Sequence, residues 1–238
     1  MNSPAPFRSH ALALLPNNGQ PDLLFVLLHG QGANAAQMRP LAQALQAQYP
    51  QAAVLSIDGP APDARLPGGG AGFQWYDSGE GADEAQQVAA ALPDFIATVR
   101  AWADKFELSW DRVALAGFSQ GAILALEAVQ AEAQLAGRVL AFGSRYARLP
   151  DRAPQDVCLH FFHGMADEVL PYAPVVEAAQ TLLQLGADVT ADIRPGIGHE
   201  LHAELIDKAM AQLRTFVPAR LWREAVLAAA EQDRELPN

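Results

Sequence analysis

Gly117-Phe118-Ser119-Gln120-Gly121 sets a serine between two glycines, and its neighbours decide what that serine can do. The apolar run Arg112-Val113-Ala114-Leu115-Ala116 precedes it and Ala122-Ile123-Leu124-Ala125-Leu126-Glu127-Ala128 follows, which reads as strand, sharp turn, helix with Ser119 at the tip. A turn that tight leaves room for little beyond glycine on either side. It pushes the hydroxyl out of the sheet, leaves the Gln120 amide facing the same space, and aims a helix N-terminus at any anion forming there. Such a nucleophile elbow serves acyl transfer. The alternative is a small-residue turn whose serine only caps a helix. Acyl transfer therefore needs a base, an acid and a second oxyanion donor from elsewhere in the chain.

Six histidines are available as the base. His10 lies near the first strand, His160 lies inside a strand and reads as structural, and His29 and His163 each end a strand as His-Gly. His202 reads as one turn into a helix. His199, in Pro195-Gly196-Ile197-Gly198-His199-Glu200, sits on a glycine-bearing loop between the last strand and the last long helix, so it can reach across to the elbow. The alternative for His199 is a surface residue at a helix start. An anion must hold the imidazole in its tautomer, and Asp167, just past a strand end, is the candidate, with Glu168 as its neighbour and competitor. Asp151, Asp156, Asp188 and Asp192 read as solvated turn residues. Ser119, Asp167, His199 is the chain order of α/β-hydrolases. The second donor is expected from the amide of Gln31, in His29-Gly30-Gln31-Gly32, paired with that of Gln120. As these are backbone groups, neither glutamine side chain is expected to matter.

The elements that must position these groups alternate. Strands are expected at Phe7 to Leu15 (an edge), Leu23 to Leu28, Ala52 to Ile57, the elbow strand, Arg138 to Phe142, Val157 to Phe162 and Val189 to Ile193. Runs without polar alternation suit strands covered on both faces. Helices are expected from about Ala36 to Gln48, Asp83 to Phe106, the elbow to about Glu132, Pro171 to Leu185 with Gly186 as C-cap, Glu200 to Val217, and Leu221 to Glu231. Pro93 either kinks its helix or starts a second one. Residues 59 to 83 form a long irregular stretch whose Pro67-Gly68-Gly69-Gly70-Ala71-Gly72 lacks the Gly-Lys-Ser/Thr end of a phosphate loop. The pattern predicts one α/β domain over 1–238: a mostly parallel twisted sheet with helices on both faces and no large lid. Its core covers about 7–217 and a helical extension 218–238.

A net charge of −11 argues against a nucleic-acid surface. The single cysteine, Cys158, excludes an internal disulfide and reads as a small buried hydrophobe. The N-terminus lacks the pattern of a signal peptide, and the apolar runs are too short to span a bilayer, so a cytoplasmic protein without stable membrane insertion is expected. No cofactor is expected, and no histidine, cysteine or carboxylate spacing suggests a metal site. The expected partner is a small acyl ester, and the expected state a monomer or homodimer.

His29-Gly30-Gln31-Gly32-Ala33-Asn34, Trp75-Tyr76-Asp77, Gly117-Phe118-Ser119-Gln120-Gly121-Ala122, His163-Gly164 through Asp167-Glu168-Val169, and Gly198-His199-Glu200 span most of the chain. Together they resemble the phospholipase/carboxylesterase group of α/β-hydrolases, which includes acyl-protein thioesterases and small bacterial carboxylesterases. The resemblance implies Ser119 as nucleophile, Asp167 as acid, His199 as base, and the Gln31 and Gln120 amides as oxyanion hole. The chain departs from the group at Gln31, where leucine is common, and at Leu170, where a second valine is common. The stretch with Trp75 and Tyr76 lies near the active site in that group. By themselves these aromatics either line an apolar acyl pocket or anchor the loop to the core, and Asp77 reads as structural.

The expected activity is hydrolysis of short- to medium-chain carboxylic esters through an acyl-enzyme. The alternatives are a thioesterase or lysophospholipase acting on longer chains, and a non-catalytic hydrolase-like binding module.

Overall fold

Seven strands make one sheet in the order β1-β3-β2-β6-β7-β8-β9, and every neighbouring pair is parallel except β1 with β3. They are β1 (Leu12–Leu14), β2 (Leu23–Leu28), β3 (Ala52–Ile57), β6 (Val113–Phe118), β7 (Arg138–Phe142), β8 (Cys158–Gly164) and β9 (Asp188–Arg194). The computed structural model describes residues 12–17, 19–63, 72–79, 81–223 and 225–227. Part of the expected first strand, the glycine run from 67 to 71 and the final residues lie outside these.

Alternation along the strands builds two cores. Leu24, Val26 and Leu28 of β2 face one apolar layer, while Phe25 and Leu27 face the other. The first layer is completed by α2 (Glu84–Lys105), α3 (Gln120–Ala131) and α4 (Ala173–Gln184), through side chains such as Phe95, Ile123 and Val175. The second is completed by α1 (Arg39–Gln48) and α5 (Ala203–Thr215), through Leu41, Leu45, Leu205 and Ile206. Both faces of each central strand are therefore dry, which is why these strands read as continuous apolar runs.

Several boundaries differ from expectation for identifiable reasons. The first helix begins as a 3₁₀ turn over Ala35–Met38, capped by the Asn34 side chain, and becomes α-helical only at Arg39. Pro40 follows in the first turn, where a missing N–H costs nothing. Pro93 neither ends nor restarts a helix: α2 runs unbroken for 22 residues with Asp83 as its N-cap. Val88, Phe95 and Val99 are buried on both sides of the proline, and that packing offsets the roughly 3 kcal/mol a helix-interior proline costs. β8 extends through His163 and Gly164, because β9 pairs with it along its whole length. His202 caps α5 from outside, accepting the Glu204 amide, rather than lying one turn inside. Asp188 and Asp192 are strand residues, not solvated turns: Asp188 accepts the Ala219 amide and Asp192 the Gln212 side chain. The stretch from 59 to 83 contains a short ribbon of β4 (Ala61–Pro62) and β5 (Phe73–Gln74).

Candidate active site

The end of β6 and the start of α3 meet at Ser119, whose backbone takes φ 52° and ψ −120°. A side chain at Gly117 would stand 2.4 Å from the Ala122 amide nitrogen, and one at Gly121 would stand 2.5 Å from the His29 carbonyl oxygen. Both glycines are thus demanded by close approach of backbone to backbone. The Gly121 contact presses the start of α3 against the end of β2, the point from which His29-Gly30-Gln31 departs. The Ser119 amide donates to the Phe142 carbonyl at 3.0 Å, and the Ser144 hydroxyl donates to the Ser119 carbonyl at 3.1 Å, so the turn is fixed from β7 as well. Gln120 is the first residue of α3, so its amide has no carbonyl one turn earlier to bind. The Gln31 amide likewise takes no backbone acceptor among the described residues.

His199 arrives on the loop after β9. Gly164 makes room for that loop, since a side chain there would lie 2.0 Å from the Ile197 carbonyl oxygen. The His199 Nε2 stands 3.0 Å from Ser119 Oγ, and its Nδ1 stands 2.7 Å from Asp167 Oδ2. The ring packs against Phe118 at 4.8 Å between centroids. Asp167 is buried, and its neighbour Glu168 is exposed, which separates the two carboxylates that the sequence left in competition. Asp167 Oδ1 accepts the Val169 and Leu170 amides at 2.9 and 2.8 Å. Its orientation is therefore set by its own turn before His199 adds anything.

A second imidazole lies behind this carboxylate. His163 Nε2 is 2.8 Å from the Leu170 carbonyl oxygen and 3.2 Å from Asp167 Oδ2. A carbonyl can only accept, so Nε2 carries the hydrogen. Nδ1 is then a buried lone pair with no donor. Burial lowers the His163 pKa, which keeps the ring neutral. Sequence reading passed over His163 as a strand-ending residue. Its four-residue spacing from Asp167 across a tight turn was the available signal.

The segment 72–79 adds a connection that the sequence does not show. The Gln120 side chain is buried; its Oε1 accepts the Trp75 amide at 2.9 Å and its Nε2 donates to the Tyr76 carbonyl at 3.0 Å. The Gln31 side chain accepts from the Ser78 hydroxyl at 2.7 Å and donates to Gln74 at 3.4 Å. Both glutamine side chains thus grip one strap, whereas only their amides had been given a role. Trp75 and Tyr76 are buried in the larger core layer rather than exposed on an open wall. The Trp75 indole N–H donates to the His29 carbonyl at 2.8 Å and the Tyr76 hydroxyl reaches Glu84 at 3.3 Å. The anchoring reading, not the pocket-lining one, describes where these two aromatics sit. Asp77 accepts the Gly79 amide, a structural contact. His29 is buried, with Nδ1 toward the Gly30 carbonyl and Nε2 accepting the Gly59 amide, and burial lowers its pKa.

Elsewhere, Cys158 is buried, and desolvation pushes its thiol up to about 11, so it is inert at neutral pH. His160 is buried too and pushed down to about 3, first by burial and then by Arg138. Among the described residues no three His, Cys, Asp or Glu side chains gather where they could hold a metal. No described helix is long and apolar enough to cross a membrane.

Taken together, these groups can bring a hydroxyl, an imidazole and an oriented carboxylate to bear on one carbonyl carbon. A family model for phospholipase/carboxylesterase matches residues 13–217. Esterase YpfH of Escherichia coli K12 is 37% identical over 215 residues, which cover 90% of this chain and 91% of that one. Acyl-protein thioesterase 1 of Gibberella zeae is 30% identical over 118 residues, 46% of this chain and 50% of its own. Among solved structures, esterase PE8 superposes with a TM-score of 0.78 at 24% identity, over 88% of this chain and 99% of that one. The Bacillus cereus carboxylesterase superposes at 0.70 and 19%, over 86% of this chain and 92% of that one.

Proposed function

Because this chain belongs to the phospholipase/carboxylesterase family, we propose that it is a serine carboxylesterase acting on short- to medium-chain carboxylic esters. Ser119 Oγ attacks the ester carbonyl while His199 Nε2 takes the hydroxyl proton. Asp167 holds the Nδ1–H of the imidazolium so formed. The oxyanion rests on the Gln31 and Gln120 amides until the carbonyl re-forms. His199 then gives its proton to the departing alkoxide, and the alcohol leaves. A water molecule, deprotonated by the same imidazole, attacks the acyl-serine and releases the acid and free Ser119.

The observation that supports this reading is the single imidazole with Ser119 Oγ at 3.0 Å on one nitrogen and Asp167 Oδ2 at 2.7 Å on the other. A general base needs its proton donor within hydrogen-bond reach, and the carboxylate on the other nitrogen holds the ring for that task. Fluorophosphonate labelling followed by peptide mapping tests it: an adduct on Ser119 is expected, and a folded protein that takes no label would point instead to a hydrolase-like binding module. The partial likeness to an acyl-protein thioesterase gives a second reading, a thioesterase or lysophospholipase for longer chains. Paired oxygen and sulfur esters from acetyl to palmitoyl separate the two. A kcat/KM that peaks at eight carbons or fewer, with no preference for sulfur, is the expected profile.

A further inference from the structure

The ends of the strands away from Ser119 form an open-mouthed cavity of about 210 Å³, lined in part by Leu23 and Phe25 of β2, Arg112 and Arg138 at the starts of β6 and β7, Leu213 of α5 and Arg220 beyond it. Ser119 follows the carboxyl end of β6, and the cavity opens at its amino end, so the strand's six residues, about 20 Å, separate them. The cavity is not an arm of the active site.

Its charge is out of keeping with the chain. In a protein of net charge −11, three arginines line one small space. Asp111 is the carboxylate that lines it, 3.9 Å from Arg220 Nη1, and it already accepts the Ser109 hydroxyl. Asp188, the next acid along, is engaged by the Ala219 amide at 2.8 Å and lies beside the Cys158 thiol. Among the described residues, Arg138 reaches the His160 Nε2, at 3.3 Å. That ring is neutral, and its Nδ1–H is directed at Thr190 Oγ1. Arg220 stacks over Trp110 with its guanidinium carbon 5.2 Å from the ring centre, and its buried Nε finds no acceptor. Buried N–H groups without acceptors are costly, and a guanidinium fork matches a planar carboxylate with two parallel hydrogen bonds.

The other walls are apolar: Leu23, Phe25, Tyr49, Val113 and Leu213. A dry cavity of about 150 Å³ holds benzene, so this one has room for a ring or a short alkyl chain with a carboxylate at its end. We infer that this cavity is a second ligand site, for a small organic monocarboxylate with an aryl or short alkyl body. The carboxylate lies between Arg138 and Arg220, and the body rests on Phe25, Tyr49 and Leu213. Inorganic phosphate would satisfy the cations and leave the apolar walls uncovered. Benzyl alcohol or hexanol would do the reverse.

Titration calorimetry on the full-length protein tests this, with benzoate and hexanoate as ligands and benzyl alcohol, hexanol and inorganic phosphate as controls. Both carboxylates are expected to bind at least tenfold tighter than any control. Arg220→Gln, which removes the half-buried guanidinium, is expected to weaken them at least tenfold. Leu213→Phe keeps every charge and fills the space; it is expected to weaken them as much, with circular dichroism reporting that both variants fold. Carboxylate binding unchanged in both folded variants places the ligand elsewhere and overturns the assignment. So does alcohol binding as tight as carboxylate, phosphate binding as tight as hexanoate, or no carboxylate binding below 10 mM. None of these outcomes depends on Ser119 chemistry.

Discussion

The two ends of the same parallel strands are built in opposite ways. At the carboxyl ends, three donors converge on Asp167, two backbone amides and the His199 imidazole, while His163 Nε2 stands 3.2 Å away. Backbone packs on backbone at Gly117, Gly121 and Gly164 so closely that no side chain fits. At the amino ends, three arginines and one aspartate line a cleft, Asp111 stands 3.9 Å from Arg220, and a buried guanidinium N–H of Arg220 is left without an acceptor. The first end holds its carboxylate from its own turn and from His199, and the second has cations in surplus. The contrast teaches that reaction geometry has to be held by the backbone, because tenths of an ångström matter there. Attraction of a charged molecule needs only an excess of one sign in a sheltered place.

The largest test of the contrast removes the held group itself. Ser119→Ala is expected to fold normally and to lose about a thousandfold or more in kcat/KM toward p-nitrophenyl esters. Wild-type turnover in that variant would show that the tightly held end is not where the reaction happens. Next in size is Gly121→Ala, whose new methyl meets the Leu28 and His29 carbonyls at 2.6 and 2.5 Å. About 3 kcal/mol or more of stability should be lost in urea unfolding. A mild effect would mean that the carboxyl end is looser than its contacts imply.

Gln120→Ala sharpens the contrast by cutting the strap while leaving the amide in place. Expected is a ten- to hundredfold drop in kcat with KM little changed, since the amide is retained but its support is lost. A change confined to KM would assign the strap to substrate binding.

The smallest effect belongs to His160, toward the amino end. Its folded pKa is pushed from 6.5 to about 3, whereas the unfolded chain titrates near 6.5. Below that value the unfolded state binds a proton that the folded state refuses, so this stability is complete above pH 6.5 and is lost as pH falls toward 3. His160 alone should remove roughly 2 kcal/mol between pH 6.5 and 5. His29 and His163, both lowered by burial, act in the same direction. Melting temperatures of the wild type and His160→Gln at the two pH values measure its share. The variant should show the shallower slope.

The sheet was legible because its strands are short apolar runs closed by turn residues: Leu23–Leu28, Ala52–Ile57 and Arg138–Phe142 fall where the sequence puts them. The meeting of Ser119, Asp167 and His199 was legible because each stands just past a strand end in a sheet of known polarity. What escaped were effects that only packing decides. Of the two readings of Pro93, the one that keeps it inside a single helix is what α2 shows, and the buried residues on both sides of it, which no local rule contains, decide between them. The grip of Gln31 and Gln120 on segment 72–79 joins residues more than forty positions apart, so neither composition nor periodicity carries it. Trp75 and Tyr76 were even between two roles until burial separated them.

The positive φ of Ser119 has a consequence for how this molecule tolerates change. An L-residue held there stores about 1–3 kcal/mol, and glycine would release it. Ser119→Gly should therefore yield a sturdier chain that does nothing. If Ser119 is the nucleophile proposed above, a screen that rewards heat resistance without demanding turnover will drift toward that form, and the need for the hydroxyl keeps the weaker residue in place.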